Sequence, residues 1–296
     1  MTKQKTLLIV DGDGLLTRAH MGGGHNYLMG TQKVGGILST INKIRYLNTN
    51  WDADSFQIAF DPFGKTTFRH KEYKDYKANR PPKEEDLIKA KIETIALLKL
   101  MGATVLEDEN YEADDLVATA AKKGLDAGYR VIVVSKDKDM CSLLKYDNLI
   151  IVHPFGDDII TKPAVKEKYG IDPEQMDDLL AMWGDTADNI PGITKCGQGR
   201  GSQLLQKYNT IENIIEAAKN GDIKGVLGKN IIAEGTRALA FRKFLSLRTD
   251  ISNVPHPDNS TFKEPNYVEL EARFSKLGFN DLAQEARSNI STSPSP

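Results

Sequence analysis

Short β-branched runs that each stop at an acid are the feature that most narrows the fold of this 296-residue chain. TLLIV at 6–10 runs into Asp11, FQIAF at 56–60 into Asp61, and VIVV at 131–134 passes through Ser135 and Lys136 to Asp137 and Asp139. A fourth run, LIIV, occupies 149–152. Such runs have strand length, and the lack of polar alternation implies that both faces are covered. Segments near 34–47, 84–100 and 113–127 are long enough for helices, with Leu87, Lys91, Thr94, Leu97 and Leu98 at roughly helical spacing. Alternating strands and helices predict an α/β core around a parallel sheet. The carboxyl ends of such strands share one edge, where loops form a ligand crevice. Acids far apart in sequence are therefore expected on one rim.

YEADDLVATAA at 111–121 adds Glu112, Asp114 and Asp115 where a helix begins. The free N–H groups and dipole of a helix start lower the cost of gathering negative charge, but capping accounts for one acid or two. Glu112 and Asp115, at i,i+3, share a face from which Asp114 points partly aside. With Asp185 and Asp188 of GDTADN, the set reaches nine carboxylates: Asp11, Asp61, Glu112, Asp114, Asp115, Asp137, Asp139, Asp185 and Asp188. Unpaired anions on one rim repel or take up protons, and divalent cations resolve the conflict. Hard oxygen donors favour Mg2+, with Mn2+ able to substitute, over zinc. Neither DGDG nor the DKD repeat continues into the twelve-residue spacing of an EF-hand. Two ions about 4 Å apart suit phosphodiester hydrolysis, which then needs no protein nucleophile.

Two stretches are basic. Residues 65–80, KTTFRHKEYKDYKANR, hold six Lys/Arg against two acids, with Phe68, Tyr73 and Tyr76 interspersed. Cations that neutralise phosphates beside rings that stack on bases suit a single-strand contact surface, so Arg69, Lys71, Lys74 and Tyr76 are candidate DNA contacts. Lys77 and Arg80, at i,i+3, are placed to orient a scissile phosphate and stabilise its transition state. Residues 192–209, GITKCGQGRGSQLLQKYN, carry three Lys/Arg and no acid. Their glycine-rich turns expose N–H groups that can track a duplex backbone, making Gly192, Lys195, Gly197, Gly199, Arg200 and Gly201 candidates there. Arg237, Lys243 and Arg248 are candidate further duplex contacts.

The formal charge of -2 excludes a simple nucleic-acid coating protein. Cys141 and Cys196 make neither a disulfide framework nor a zinc ligand set, and fit a reducing compartment. No stretch approaches the roughly 20 apolar residues that span a bilayer. A cytoplasmic protein without membrane contact is expected. After about residue 185 the texture shifts to glycine turns and shorter helical patterns, and STSPSP at 291–296 reads as a flexible tail.

IVDG at 9–12, YKANR at 76–80, YEADD at 111–115, SKDKD at 135–139 and GDTADNIPGI at 184–193 together resemble the FEN-like 5′ nuclease family. That family comprises flap endonucleases, the 5′ nuclease domains of bacterial DNA polymerases, and stand-alone bacteriophage 5′–3′ exonucleases. This chain is similar in organisation to the last group, in a bacterial host's cytoplasm. The resemblance implies a PIN-like α/β nuclease core at 1–184, with a helical arch or loop near 65–100 that admits a 5′ single strand. It implies a helical region at 185–290 with a helix-hairpin-helix-like motif that holds duplex, and K+ at the hairpin. Asp11, Asp61, Glu112, Asp114 and Asp115 would serve one part of a metal site, and Asp137, Asp139, Asp185 and Asp188 the other. Lys77 and Arg80 match residues that engage the phosphate, and Tyr76 a base-contacting position. The implied activities are 5′–3′ exonuclease and 5′-flap endonuclease, with RNase H activity as an extension to RNA–DNA hybrid, in DNA replication or repair. A monomer is expected, with a polymerase acting in trans.

The chain departs from the family where Gly199, Arg200 and Gly201 stand at the usual Lys-Thr-Ala positions of the hairpin, and where Asp13 sits inside DGDGLL as either a supporting acid or a turn residue. DGDGLL also resembles haloacid-dehalogenase-like phosphatases, in which Asp11 would be the nucleophile and Asp13 the general acid/base. That reading needs a core strand before GDTADN, where MDDLLAMW instead has helical spacing, and it leaves EADD and YKANR unexplained. A noncatalytic DNA-binding protein is the third reading, against which the complete acid series argues.

Overall fold

A computed structural model describes residues 3–23, 27–64, 67–156 and 158–292. The first half contains β1 (Thr6–Asp11), α1 (Gly12–Met21), β2 (Leu28–Met29), β3 (Gln32–Lys33), α2 (Gly35–Trp51), β4 (Ser55–Ala59), α3 (Phe68–Glu72), α4 (Glu85–Leu100), β5 (Thr104–Leu106), α5 (Ala113–Asp126) and β6 (Arg130–Val134). A 3-10 helix at Lys138–Lys145 leads to β7 (Leu149–Val152), β8 (Ile159–Ile160), α6 (Lys162–Tyr169), α7 (Met176–Trp183), β9 (Gly184–Asp185) and β10 (Ile190–Pro191). Five further helices close the chain: α8 (Gln198–Tyr208), α9 (Ile211–Lys219), α10 (Gly225–Leu245), α11 (Tyr267–Lys276) and α12 (Asn280–Thr292).

The main sheet has the order β5-β4-β1-β6-β7-β8, parallel except for the antiparallel edge strand β8. All four apolar runs singled out in the sequence are strands of it. Leu7, Ile9, Val131 and Val133 enter one core, and Leu8, Val10, Ile132 and Val134 the other. This period-two split explains the unbroken apolar runs, because helices cover both faces. The first core continues without a break through Leu179 of α7 into Leu205, Ile214 and Phe244, so the sheet and the helical region share one interior.

Two placements differ from the sequence reading. Residues 267–292 do not stay with α8–α10 but return to the opposite face, where Leu270, Phe274, Leu277 and Leu282 join Ile44 and Leu98. The crossing segment is pinned to β4, since the N–H of Phe56 donates to Ser260 O at 2.8 Å and Ser55 Oγ to Pro257 O at 2.7 Å. Nor does all of 65–100 stand over the rim: Ala90, Lys91, Thr94, Ile95, Leu97 and Leu98 of α4 are buried. The part that crosses the rim is the strap of α3 and the turns after it, up to Lys83. The tail at 293–296 and residues 65–66 of the basic stretch lie outside the described residues.

Candidate active site

The carboxyl ends of the strands carry the acids to one place. Asp11 ends β1, Asp61 follows β4, Glu112 precedes α5, and Asp137 caps the 3-10 helix after β6. Together with Asp114, Asp139 and Asp188 they line one cavity of about 370 Å3, with Lys77, Arg80, Lys83 and Lys136 also on its wall. Asp185 borders it through the β9–β10 hairpin, its Oδ1 accepting the N–H groups of Ala187 at 2.8 Å and Asp188 at 3.2 Å.

These acids fall into two electrostatic groups. On the strap side cations already balance them. Glu112 Oε1 accepts from Lys77 Nζ at 2.7 Å, Arg80 donates to Asp188, and Lys138 donates to Asp185. Burial pushes the Asp61 carboxyl up, but the Lys77 and Lys83 charges outweigh it and leave the group below its ordinary value. Asp185 is likewise held low, Lys138 outweighing burial. On the floor the balance is missing. Burial, with Asp13 and Asp61 adding repulsion, pushes Asp11 up to about 7. Burial and Asp137 push Asp139 up to about 7, and burial with Asp137 and Asp11 raises Asp114 well above the usual carboxylate range.

Such a floor fits divalent cations by its chemistry. Every donor is a hard oxygen, and Asp139 Oδ1 is buried without a hydrogen-bond partner, although Lys138 Nζ lies 3.8 Å away. Protonation or a cation are the two ways to relieve this crowding. Among the described residues no three acids already converge on one point as a finished ligand set. The donors are gathered, and their closure onto ions requires side-chain movement.

Several expected contacts are placed elsewhere. Asp115 is fully buried in a bidentate pair with Arg69, at 2.5 and 2.9 Å, and its Oδ1 also accepts the N–H of Arg248 at 3.0 Å. With both oxygens engaged away from the floor, it is not a cation donor in this arrangement. Arg69 touches the cavity wall, but its nitrogens are spent on Asp115, Glu112 and the Phe244 carbonyl. A phosphate contact from it does not fit. The Tyr76 hydroxyl donates to Glu112 Oε2 at 2.8 Å, and the residue is buried beside Phe244, so it offers no open ring face to a base. Lys71 and Lys74 are exposed on the strap, Lys71 donating to Asn110 Oδ1 at 3.0 Å.

The strap is held down at both ends. Tyr73 and Tyr76 pack on Phe241 and Phe244 of α10, while Asn79 donates to Thr186 O at 2.5 Å and Arg80 Nε to Ala187 O at 3.1 Å. Lys77 takes a left-handed backbone (φ 55°), which a non-glycine residue keeps only when its surroundings hold it. Its N–H donates to Asp188 O at 3.0 Å.

Beyond the floor, α7 and α8 flank the β9–β10 hairpin. Gly184 (φ 81°) and Gly192 back onto each other, and a Cβ on Gly184 would lie 2.4 Å from the nitrogen of Gly192. The turn that follows exposes Lys195 and Gly197, and the first turn of α8 exposes Gly199 and Arg200, whereas Gly201 is buried against Leu179 and Gly192 is half-buried. The sequence reading missed Ser135, whose Oγ donates to Asp11 Oδ2 at 3.0 Å and accepts the Asp137 N–H at 3.1 Å, and missed Lys83, Lys136 and Lys138. Ser135, Lys136 and Lys138 stand inside SKDKD, so their proximity to the acids was the available signal.

Gly184 and Asp185 follow a helix and pair only with β10, outside the main sheet, which removes the phosphatase arrangement. The profile of the 5′-3′ exonuclease N-terminal resolvase-like domain matches residues 6–170, and that of the 5′-3′ exonuclease C-terminal SAM fold matches 171–267. A 5′-3′ exonuclease of Buchnera aphidicola is 36% identical, over 95% of this chain and 99% of its own length. One from Aquifex aeolicus is 34% identical, over 77% of this chain and 76% of its own. The fold resembles a structure described as divalent metal ions (zinc) bound to T5 5′-exonuclease, with a TM-score of 0.72 and 20% identity over 96% of this chain and 99% of that one. With both halves of the family matched along the chain and its acids on one rim, this protein belongs to the 5′–3′ exonuclease family.

Proposed function

We propose that this 5′ nuclease hydrolyses DNA at junctions between duplex and 5′ single strand, with two or more Mg2+ ions at the carboxylate floor. Mn2+ would substitute. The observation that carries this reading is the floor itself, where Asp11, Asp114, Asp137 and Asp139 meet without enough positive charge to balance them. Asp11, Asp61, Glu112 and Asp114 would hold one ion, and Asp137, Asp139, Asp185 and Asp188 the other. When bound, the ions supply an activated water and stabilise the leaving oxygen.

Residues of the chain do the remaining work. Lys77 and Arg80 now rest on Glu112 and Asp188, and exchange those carboxylates for oxygens of the scissile phosphate. Lys195, Arg200 and the N–H groups of the exposed glycine turn hold duplex phosphates without reading sequence. Lys71 and Lys74 steer the 5′ strand toward the strap. Selectivity then follows junction shape and strand polarity. Use of RNA–DNA hybrid, K+ at the hairpin turn, action as a monomer, a polymerase working in trans and a cytoplasmic site of action complete the proposal. Among the described residues no helix is long and apolar enough to cross a membrane.

A Mg2+-dependent assay comparing 5′-flapped, 3′-flapped, blunt and RNA–DNA hybrid substrates tests it. Preferential cleavage of the 5′-flapped DNA near the junction is expected, leaving a 5′-phosphate downstream. Equal cleavage of 3′ and 5′ flaps, or unchanged rates with EDTA in place of Mg2+, would remove the reading.

A further inference from the structure

Asp13 lines the same cavity as the acids proposed to hold cations, but its own carboxylate is committed to lysines and a backbone N–H. Helix α1 is capped by Asp11, whose Oδ1 accepts the Gly14 N–H at 2.8 Å, so Asp13 is not needed as its cap. Instead Asp13 Oδ2 accepts two hydrogen bonds, from the N–H of Asp61 at 2.6 Å and from Lys91 Nζ at 2.7 Å. The same ammonium donates to the Asp61 carbonyl at 2.7 Å. One ion pair thereby closes a ring through both backbone polar groups of Asp61. Lys91 is 4% exposed, and its ammonium lies 5.0 Å from the Phe63 ring centroid and 5.7 Å from that of Phe60. Shelter from water strengthens these charge-assisted bonds.

Asp61 needs such a restraint because the sheet ends before it. Phe60 still donates to Leu106 O across the strands, but the Asp61 N–H has no strand partner. After it come Pro62, the exposed Phe63 and Gly64 at φ 113°, and among the described residues no helix or strand stands between Asp61 and α3. The Asp61 carboxylate is held by the Ala113 N–H, which donates to Oδ1 at 2.9 Å, while Oδ2 has only the longer ion pair with half-exposed Lys83 at 3.7 Å.

We propose that Asp13 and Lys91 are positioning residues, acting through the Asp61 backbone to hold its carboxylate at the cation rim. The inference rests on the function proposed above. A carboxylate two positions from Asp11 adds negative charge to a crowded edge, and buried Lys91 at 2.7 Å, with the more exposed Lys83 at 3.3 Å on the other oxygen, makes it tolerable there. Groups that orient ligand side chains in this way typically change metal affinity or activity about 10–100-fold when removed.

The test uses the full chain and the variants Asp13→Ala, Asp13→Asn and the double variant D13N/K91Q. Mn2+ binding without DNA is read by electron paramagnetic resonance of the free ion, single-turnover cleavage of 5′-flapped DNA is followed across a Mn2+ series, and melting is recorded in EDTA. Asp13→Ala is expected to weaken Mn2+ binding about 10–100-fold, with cleavage partly recovered at high Mn2+. D13N/K91Q keeps an acceptor for the Asp61 N–H and a donor for its carbonyl without charges, and is expected to regain most of the affinity. A variant that melts earlier yet binds Mn2+ like the parent would show a structural role only and overturn the proposal. Failure of D13N/K91Q to recover binding would assign the effect to charge and overturn it as well. If Asp13→Ala does not fold, the near-isosteric Asp13→Asn is read in its place. A parent that binds Mn2+ but spares flapped DNA sinks the nuclease reading, while the Mn2+ isotherms still decide this one.

Discussion

Asp11, Asp114 and Asp139 set the pH behaviour of the protein without cations. Asp11 and Asp139 hold protons up to about pH 7 in the folded state, against an ordinary value of 3.8. Between those pH values the folded chain binds more protons than the unfolded one, so stability falls as pH rises through the window and levels off above it. Melting curves in EDTA from pH 5 to 8 are expected to show this decline. Mg2+ should reverse it, because cation binding needs the deprotonated carboxylates. Asp114→Asn removes a charge that burial and Asp137 disfavour, and should raise the melting temperature in EDTA at pH 8 while abolishing turnover. A melting temperature lower than the parent's there would contradict the electrostatic account. Arg69 and Asp115 belong to a different class. Removing Asp115 would leave the buried Arg69 with only the longer 3.4 Å contact to Glu112 as an ion pair, so Asp115→Ala should cost about 3–5 kcal/mol, measured by denaturant unfolding. The sequence could not separate these cases. EADD shows that Glu112 and Asp115 share a face, but not that this face also meets Arg69, with Asp114 turned to the cavity.

At the scale of elements, legibility followed how local the signal was. The strands at 6–10, 56–60, 131–134 and 149–152 were readable because burial on both faces imposes unbroken apolar runs. The three-residue β5 was not, since TVL carries no pattern and exists by pairing with β4. The acids were readable because strand ends put them on a rim, whereas Lys83 and Lys91 reach Asp13 across 70 and 78 positions. The turn before α8 was legible through Gly192, which its close approach to Trp183 requires, whereas the need for glycine at 184 was not read from the sequence. Gly184→Ala would add a Cβ against Gly192 at a left-handed backbone position, at a cost of about 1–3 kcal/mol from strain alone. Reduced duplex affinity with near-parental Mn2+ binding is the expected pattern. Lys195→Ala and Arg200→Ala should each weaken duplex binding measured without cleavage, and each should flatten the log–log salt dependence by about 0.9 if one phosphate contact is lost. Unchanged salt slopes in both would move the duplex surface away from this turn.

The whole molecule depends on a return that no motif announces. The C-terminal family match ends at residue 267, yet α11 and α12 continue to 292 and cover the face of the sheet opposite α5 and α7. Their amphipathic spacing reads in sequence as helix, but periodicity says nothing about which face a helix will find. Here the partner is set by apolar residues already exposed by other elements, namely Ile44 and Leu47 of α2 and Leu98 of α4, which Leu270, Phe274, Leu277, Phe279 and Leu282 complete. Each of those five side chains contributes about 1.5–3 kcal/mol by leaving water, against a net stability of about 5–15 kcal/mol for a folded domain. Losing all five removes a share comparable to the whole. A chain ending at residue 264 is therefore expected to unfold or aggregate although every acid of the floor remains. The measurement is its soluble yield and denaturation midpoint beside the full chain. A soluble, cooperatively folded product with parental Mg2+-dependent cleavage would mean that the sheet closes its second core without them.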